Sequence, residues 1–77
     1  MNKPRRKELE KAMDLLRQAM EIIENVKDEE QEAYDNLPEG IQYSERGEQM
    51  DENIDDMDSV VEELDSQIDI LEDIICR

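Results

Sequence analysis

The sequence predicts an all-α fold, an antiparallel hairpin of two long helices that pack against each other like a coiled coil. Three observations lead to it. Apolar residues return every three or four positions in both halves of the chain. Pro38 and Gly40 stand together near the middle. The segments on either side are equal in length, about 32 residues or about 48 Å of helix each. We therefore expect one domain over residues 1–77, with helices at about 4–36 and 45–76 and a turn at 37–44.

The first helix has a clear beginning and end. Pro4 suits a first helical turn, where its missing N–H costs nothing. Pro38 disfavours helical geometry at Leu37, so the helix should end near Asn36. Its apolar residues form two predicted columns, one of Leu9, Leu16 and Ile23, and one of Ala12, Ala19, Val26 and Ala33.

The turn carries glycines and a capping residue. We expect Gly40 to adopt a positive φ, and Ser44 to cap the second helix. Gly47 falls on the core side, where it should let Tyr43 or Leu37 pack closely. Three apolar residues lie at this loop tip, Leu37, Ile41 and Tyr43. They either cap the open end of the bundle or form a tip that binds a partner.

The second helix carries two parallel stripes, because residues three and four apart share a helix face. The apolar stripe consists of Met50, Ile54, Met57, Val61, Leu64, Ile68, Leu71 and Ile75. The acidic stripe, here called the acidic rail, consists of Glu48, Asp51, Asp55, Asp58, Glu62, Asp65, Asp69 and Glu72.

Folding the hairpin brings the two ends of the chain together. This places a basic cluster beside acidic residues at the end of the second helix, and we expect ion pairs between them. The basic side chains are Arg5, Arg6, Lys7 and Lys11, and the acidic ones are Asp69, Glu72 and Asp73.

The apolar surface is wider than one partner helix can cover, which predicts self-association into a four-helix bundle. Leu15 and Ile22 lie on one side of the first helix's seam, Met13 and Met20 lie on the other, and the second helix adds Val60 and Ile74. The candidate core and oligomer residues are Leu15, Met20, Ile22, Ile23, Ile54, Met57, Val61, Leu64, Ile68 and Leu71.

Composition limits the partners. The net charge is −15, and 43% of the residues are charged. Like-charge repulsion argues against direct binding to nucleic acid or to anionic membranes, and favours proteins with basic surfaces. No apolar run approaches the roughly 18 residues that span a bilayer. The basic start, residues 1–7, is not followed by the apolar stretch of a secretion signal. We expect a cytoplasmic protein.

The sequence contains no recognisable catalytic constellation. The chain has no histidine, and Cys76 is its single cysteine, without a visible base beside it. We expect no catalytic activity, no cofactor and no metal. Residues 51–62 nearly match a calcium-binding loop, but Asp56 stands where that loop needs glycine. Ile54, Met57 and Val61 also keep the helical phase through the segment, so we reject the match.

The acidic rail has three interpretations. It can be a solvated face that keeps the bundle soluble. It can imitate a nucleic-acid backbone, since two charges per seven residues is one per about 5 Å of helix. Finally, the chain can be an adaptor or assembly protein that uses the rail to bind a basic partner protein.

The segment from Asn36 to Glu48 contains Asn-x-Pro followed by Ser-Glu-Arg-Gly-Glu, and acidic heptads come after it. In this, residues 29–77 resemble a group of short acidic helical-hairpin proteins of Gram-positive bacteria, their prophages and their phages. The group has no established activity. The resemblance implies a phage-type inhibitor or modulator, in the bacterial host cell, of a nucleic-acid-binding enzyme or defence protein. The alternative is a structural or assembly adaptor that acts through its apolar helix faces.

Overall fold

The computed structural model describes the whole chain, Met1–Arg77. It contains three helices, α1 (Lys3–Asp35), α2 (Glu39–Gln42) and α3 (Glu45–Cys76). The long helices α1 and α3 pack along each other in opposite directions and form a rod of 58 × 15 × 13 Å. The predicted all-α hairpin is confirmed.

The beginning of α1 is capped by a side chain. Asn2 has an extended backbone, and its Oδ1 accepts a hydrogen bond of 3.0 Å from the backbone N–H of Arg5. Pro4 lies in the first turn, as its lack of an N–H favours. The helix ends at Asp35, one residue before the C-cap Asn36, whose N–H donates to the carbonyls of Glu32 and Tyr34.

The connection between the long helices, predicted as a turn over residues 37–44, contains a short helix, α2. In α2 the N–H groups of Ile41 and Gln42 donate to the carbonyl of Pro38, at 2.8 and 3.2 Å. Gly40 lies inside this turn, and no glycine in the chain has a positive φ. The expected positive φ at Gly40 is therefore wrong, because Pro38 begins a helical turn here.

Ser44 caps α3, as predicted. Its backbone is extended, with φ −82° and ψ 169°, and its Oγ accepts a bond of 3.5 Å from the N–H of Gly47. Glu45 and Glu48 occupy the first turn, where negative charge is favourable beside the unpaired N–H groups.

Gly47 is buried where α3 crosses the end of α2. A Cβ atom at this position would lie 2.6 Å from the carbonyl carbon of Gln42 and 2.7 Å from the carbonyl oxygen of Ile41, and closer still to the Gln42 oxygen. The close approach that we predicted at Gly47 is present, but its partner is the backbone of α2 and not Tyr43 or Leu37.

The apolar stripe of α3 faces α1, as its period predicted. All eight residues of the stripe are buried or half-buried, and Ile54 and Ile68 are covered most completely. Their regular 3-4 spacing keeps a single line of side chains against the neighbouring helix over the whole length of α3.

On α1 the buried line differs from the prediction. The column of Leu9, Leu16 and Ile23 faces α3, but its companion is the column that contains Met13 and Met20. Met13 is only 5% exposed. In the predicted alanine column Ala12 and Ala19 are half-buried, but Val26 is 47% exposed and Ala33 is exposed. The helix turns its long methionines inward because they bury more apolar area than alanines do.

Two polar residues continue the buried columns of α1 towards the turn, Lys27 the column of the methionines and Glu30 that of Leu9, Leu16 and Ile23. Lys27 and Glu30 are both half-buried at positions that face α3. Lys27 Nζ donates to Asp58 Oδ1 at 3.0 Å, and Asn53 Nδ2 donates to Glu30 Oε2 at 3.3 Å. These two pairs define which residues of the antiparallel helices stand level with each other.

The ion pairs predicted at the chain ends are absent. The structure contains two ion pairs, Arg17–Asp14 within α1 and Lys27–Asp58 between the helices. The register of the hairpin explains this. It carries Arg5 and Arg6 level with the end of α3 or beyond it, out of reach of the predicted acidic partners. Lys7 and Lys11 likewise form no salt bridge with Asp69, Glu72 or Asp73, and both are exposed.

Candidate functional site

The acidic rail runs along one flank of α3, and all eight of its carboxylates are exposed. Each carboxylate comes one residue after a residue of α3 that faces α1, here called a seam position, as Asp55 follows Ile54 and Asp58 follows Met57. Since one residue turns a helix by about 100°, the rail lies to the side of the interface and not opposite it. The rail therefore borders the groove between the helices.

Lys27 is the one cation that meets the rail. It comes from α1, its side chain is 25% exposed, and it binds Asp58, whose side chain is 53% exposed. The pKa of Lys27 is raised, chiefly because Asp58 accepts its hydrogen bond; partial burial works against this, and the charges of Asp58, Asp28 and Glu24 add to it. The other seven rail carboxylates form no ion pair.

A shallow depression of about 350 Å³ marks the place where the rail meets α1. It is lined by Lys27, Asp28, Gln31, Ile54, Asp55 and Asp58. Its walls are mostly polar and carry three carboxylates, which can accept hydrogen bonds from an incoming guanidinium or ammonium group. The depression is therefore acidic in character, with Lys27 as its only cationic side chain.

The opposite flank of the hairpin is apolar. Here the side chains precede the seam positions by one residue, as Ile22 precedes Ile23 on α1 and Val60 precedes Val61 on α3. Preceding and following residues lie on opposite sides of the seam. The large exposed side chains of this surface, called the apolar flank below, are Leu15, Ile22, Val26, Val60 and Ile70.

A second depression, of about 290 Å³, lies on the apolar flank. Its lining residues are Ile22, Ile23, Val26, Asp56, Met57 and Val60. Ile22 is 64% exposed and Leu15 is 58% exposed, although both are large aliphatic residues. The two depressions thus differ in chemistry, and the hairpin separates them onto opposite flanks.

The predicted core and oligomer residues divide into two groups. Eight of the ten lie between α1 and α3 in the hairpin, buried or half-buried: Met20, Ile23, Ile54, Met57, Val61, Leu64, Ile68 and Leu71. Leu15 and Ile22 remain exposed on the apolar flank.

The loop-tip residues are covered to different degrees. Leu37 is half-buried, Ile41 is 41% exposed and Tyr43 is 77% exposed. The side-chain amide of Gln42 donates to the carbonyl of Tyr34 at 3.1 Å and ties the tip to the end of α1. Leu37 therefore packs as part of the fold, and the Tyr43 ring is presented to solvent.

Sequence reasoning missed Lys27 as part of the site. The signal was present, because Lys27 lies seven residues after Met20 and fourteen after Met13, in the column that proves to be buried. Val26 was assigned to the seam but belongs to the apolar flank, and Ile70 was not singled out. The rotation of α1 accounts for Lys27 and Val26, because it buries the methionine column in place of the predicted one. Ile70 lies beside the apolar stripe of α3, whose regular spacing dominates the apolar pattern of that helix.

The segment that nearly matches a calcium loop is helical throughout, since Asp51–Glu62 lies within α3. No group of three or more His, Cys, Asp or Glu side chains converges on a point that could hold a metal ion. Cys76 is a free, exposed thiol at the end of α3. No helix of the structure is both long enough and apolar enough to cross a lipid bilayer.

No protein-family model, curated protein or solved structure matches this chain.

Proposed function

We propose that this chain is a non-catalytic protein-binding module that docks its acidic rail onto the basic surface of a nucleic-acid-binding protein. The partner class is an enzyme or defence protein of a bacterial cell. The chain would act in the cytoplasm as an inhibitor or modulator of the type that phages and prophages encode. The predicted four-helix bundle belongs to the same proposal.

The observation that carries the proposal is the exposure of the whole rail along one rigid helix. Seven of its carboxylates have no cationic neighbour within salt-bridge distance, so their charge is available to a partner. Like charges three and four residues apart destabilise an isolated helix. A continuous stripe of negative charge thus lowers the stability of the helix. A requirement to bind a basic partner explains why the chain carries such a stripe.

The geometry of the rail suits a groove that normally holds nucleic acid. The carboxylates follow each other at about 5 Å along the helix axis, the same order as the spacing of phosphates along one strand. The Cα atoms of the hairpin span 15 × 13 Å in cross-section, and the side chains widen the rod to about 20 Å. A basic groove wide enough for a nucleic-acid duplex is therefore the kind of surface that the rod would fit lengthwise.

The experiment is capture of proteins from nuclease-treated bacterial lysate by the tagged chain, with DNA and NaCl as competitors. We expect a nucleic-acid-binding protein that DNA displaces and that added salt releases, because exposed charge pairs are screened within about 10 Å at 0.1 M salt. The rail variant carries Asp51→Asn, Asp55→Asn, Glu62→Gln and Asp65→Asn and should lose the partner.

The matched control removes four carboxylates from the same helix outside the rail, with Glu45→Gln, Glu52→Gln, Asp56→Asn and Glu63→Gln. Both variants change the net charge equally, so only the position of the charges differs. Equal loss of binding in the two variants would show that net charge, and not the rail, attracts the partner. Unchanged binding by the rail variant would refute the proposal.

A second candidate function, a structural or assembly adaptor, is favoured by the apolar flank. Large aliphatic residues such as Leu15 and Ile22 stand more than half exposed on one side of the hairpin. An adaptor that binds through them would form complexes that resist salt, because apolar contacts do not depend on charge screening. The salt series of the capture experiment separates the two functions.

A further inference from the structure

The apolar flank is a contiguous surface contributed by both long helices. From α1 it takes Leu15, Ile22 and Val26, and from α3 it takes Val60 and Ile70. The antiparallel register places Leu15 near the level of Ile70, and Val26 near the level of Val60. The shared depression beside Ile22 and Val60 shows that the two helices present these side chains on the same side.

The hairpin exposes more surface than a folded chain of its mass. Its accessible area is 5870 Å² for 9.1 kDa. The size scaling of folded monomers gives about 4,900 Å² for that mass. The excess, about 1,000 Å², is close to the roughly 800 Å² that each partner gives up in an interface of standard size. The elongated hairpin therefore has exposed area enough for a contact of standard size on one flank.

We propose that a second copy of this chain covers the apolar flank, so that two hairpins associate flank to flank as a four-helix bundle. Each copy supplies an apolar line from α1 together with Val60 and Ile70 of α3, and a two-fold axis sets the same surface of the two copies against each other in a self-complementary contact.

Charge distribution selects the same flank for this contact. Each copy carries a net charge of −15, so association through the rail side would bring like charges together. On the apolar flank the α1 line from residue 12 to residue 26 contains no charged residue, and its alanines Ala12 and Ala19 allow a close approach of helices. The α3 side of the flank carries the two carboxylates Asp56 and Glu63, against the eight of the rail on the other side, so two copies repel each other less through the flank than through the rail side.

The arrangement leaves both acidic rails on the outside of the bundle, one on each face. The assembly thus presents two equivalent acidic surfaces. If the rail functions as proposed above, the dimer binds two basic partners, or two basic surfaces of one dimeric partner, and bivalency increases its avidity.

The test is sedimentation equilibrium of the full chain under reducing conditions, which keep Cys76 from linking chains. We expect the wild-type chain at about 50 µM to have twice the 9.1 kDa chain mass. The variant with Leu15→Glu and Ile22→Glu should remain helical and sediment as a monomer. Its dissociation constant should rise at least about 100-fold, because apolar contacts are lost and four carboxylates enter the dimer interface.

The matched control adds the same charge to the hairpin away from the apolar flank, with Gln31→Glu and Ser59→Glu, and should remain a dimer. Added NaCl should tighten the dimer, since salt screens the repulsion between two acidic chains. The same salt should weaken the complex of the rail with a basic protein, so the two proposals respond in opposite directions.

A wild-type chain that stays monomeric at about 50 µM would overturn the inference and leave the flank to a foreign protein. A dimer that survives Leu15→Glu with Ile22→Glu would overturn it too, because another surface would then form the contact. The rail variant of the preceding section should still dimerise, so failure of rail binding and failure of dimerisation can be told apart.

Discussion

Lys27 Nζ lies 3.0 Å from Asp58 Oδ1, and this contact is the single ion pair that joins the two long helices. Lys27 occupies a position of α1 that faces α3, in line with Met13 and Met20, whereas Asp58 belongs to the acidic rail. The pair therefore connects the packing seam to the candidate site. It also holds one of the rail's eight carboxylates at a defined place beside α1.

The first prediction concerns the pH dependence of stability at this pair. The pKa of Lys27 is raised from 10.5 in the folded chain, so the pair stabilises the fold fully at lower pH. That contribution is lost as the pH rises above 10.5 and through the raised pKa. The melting temperature of the wild-type chain should fall between pH 10 and 12 more steeply than that of Lys27→Met.

The control for the pH series is Lys11→Met, which removes an exposed lysine that forms no ion pair. It should lose stability with pH in the same way as the wild type, because every other titrating group is unchanged. Circular dichroism melts at closely spaced pH values measure the difference. Parallel curves for the wild type and Lys27→Met would contradict the coupling of Lys27 to folding.

The second prediction uses the two glycines, which should respond to alanine with opposite signs. Gly47→Ala places a methyl group against the backbone of Ile41 and Gln42 and should destabilise the chain by about 1–3 kcal/mol. Gly40→Ala meets nothing within 4 Å and lies in a helical turn, so it should stabilise the chain by about 0.4–1 kcal/mol. Urea unfolding of both variants gives the two values. Stabilisation by Gly47→Ala would show that α2 is free to move away from α3.

The third prediction tests which face of α1 is buried. Met13→Ala empties a buried position and should lower the free energy of unfolding by about 2–5 kcal/mol at any chain concentration. Leu15→Ala removes an exposed side chain and should have little effect at concentrations where the chain is monomeric. Chemical denaturation over a range of chain concentrations distinguishes them. Equal losses in dilute solution would show that α1 is rotated relative to the structure described here.

The fourth prediction concerns salt and the stability of the chain alone. With a net charge of −15 and two ion pairs, repulsion dominates the electrostatics of the folded chain. The melting temperature should therefore rise as NaCl increases from about 20 to 500 mM, since the Debye length shrinks from tens of ångströms to a few. A melting temperature that falls with salt would mean that the attraction within the two ion pairs outweighs the repulsion among the carboxylates.

Much of the fold follows from short-range signals in the sequence. The 3-4 spacing from Met50 to Ile75 allows one buried line on α3, and that line is the one observed. Pro4 and Ser44 mark helix starts through local rules of backbone geometry and hydrogen bonding, and both lie where those rules place them. These features need no knowledge of the partner helix, so the sequence by itself determines them.

The tertiary structure decided what depends on contact between distant residues. Because α1 has apolar side chains on more than one stripe, its rotation is set by which of them α3 can cover best, and this places Met13 inside and Val26 outside. The same rotation brings Lys27 to Asp58 and separates the acidic rail from the apolar flank. The backbone of Gln42 against Gly47 is likewise a contact between elements. Hydropathy patterns describe each helix alone, whereas these outcomes depend on the energy of packing one helix on another.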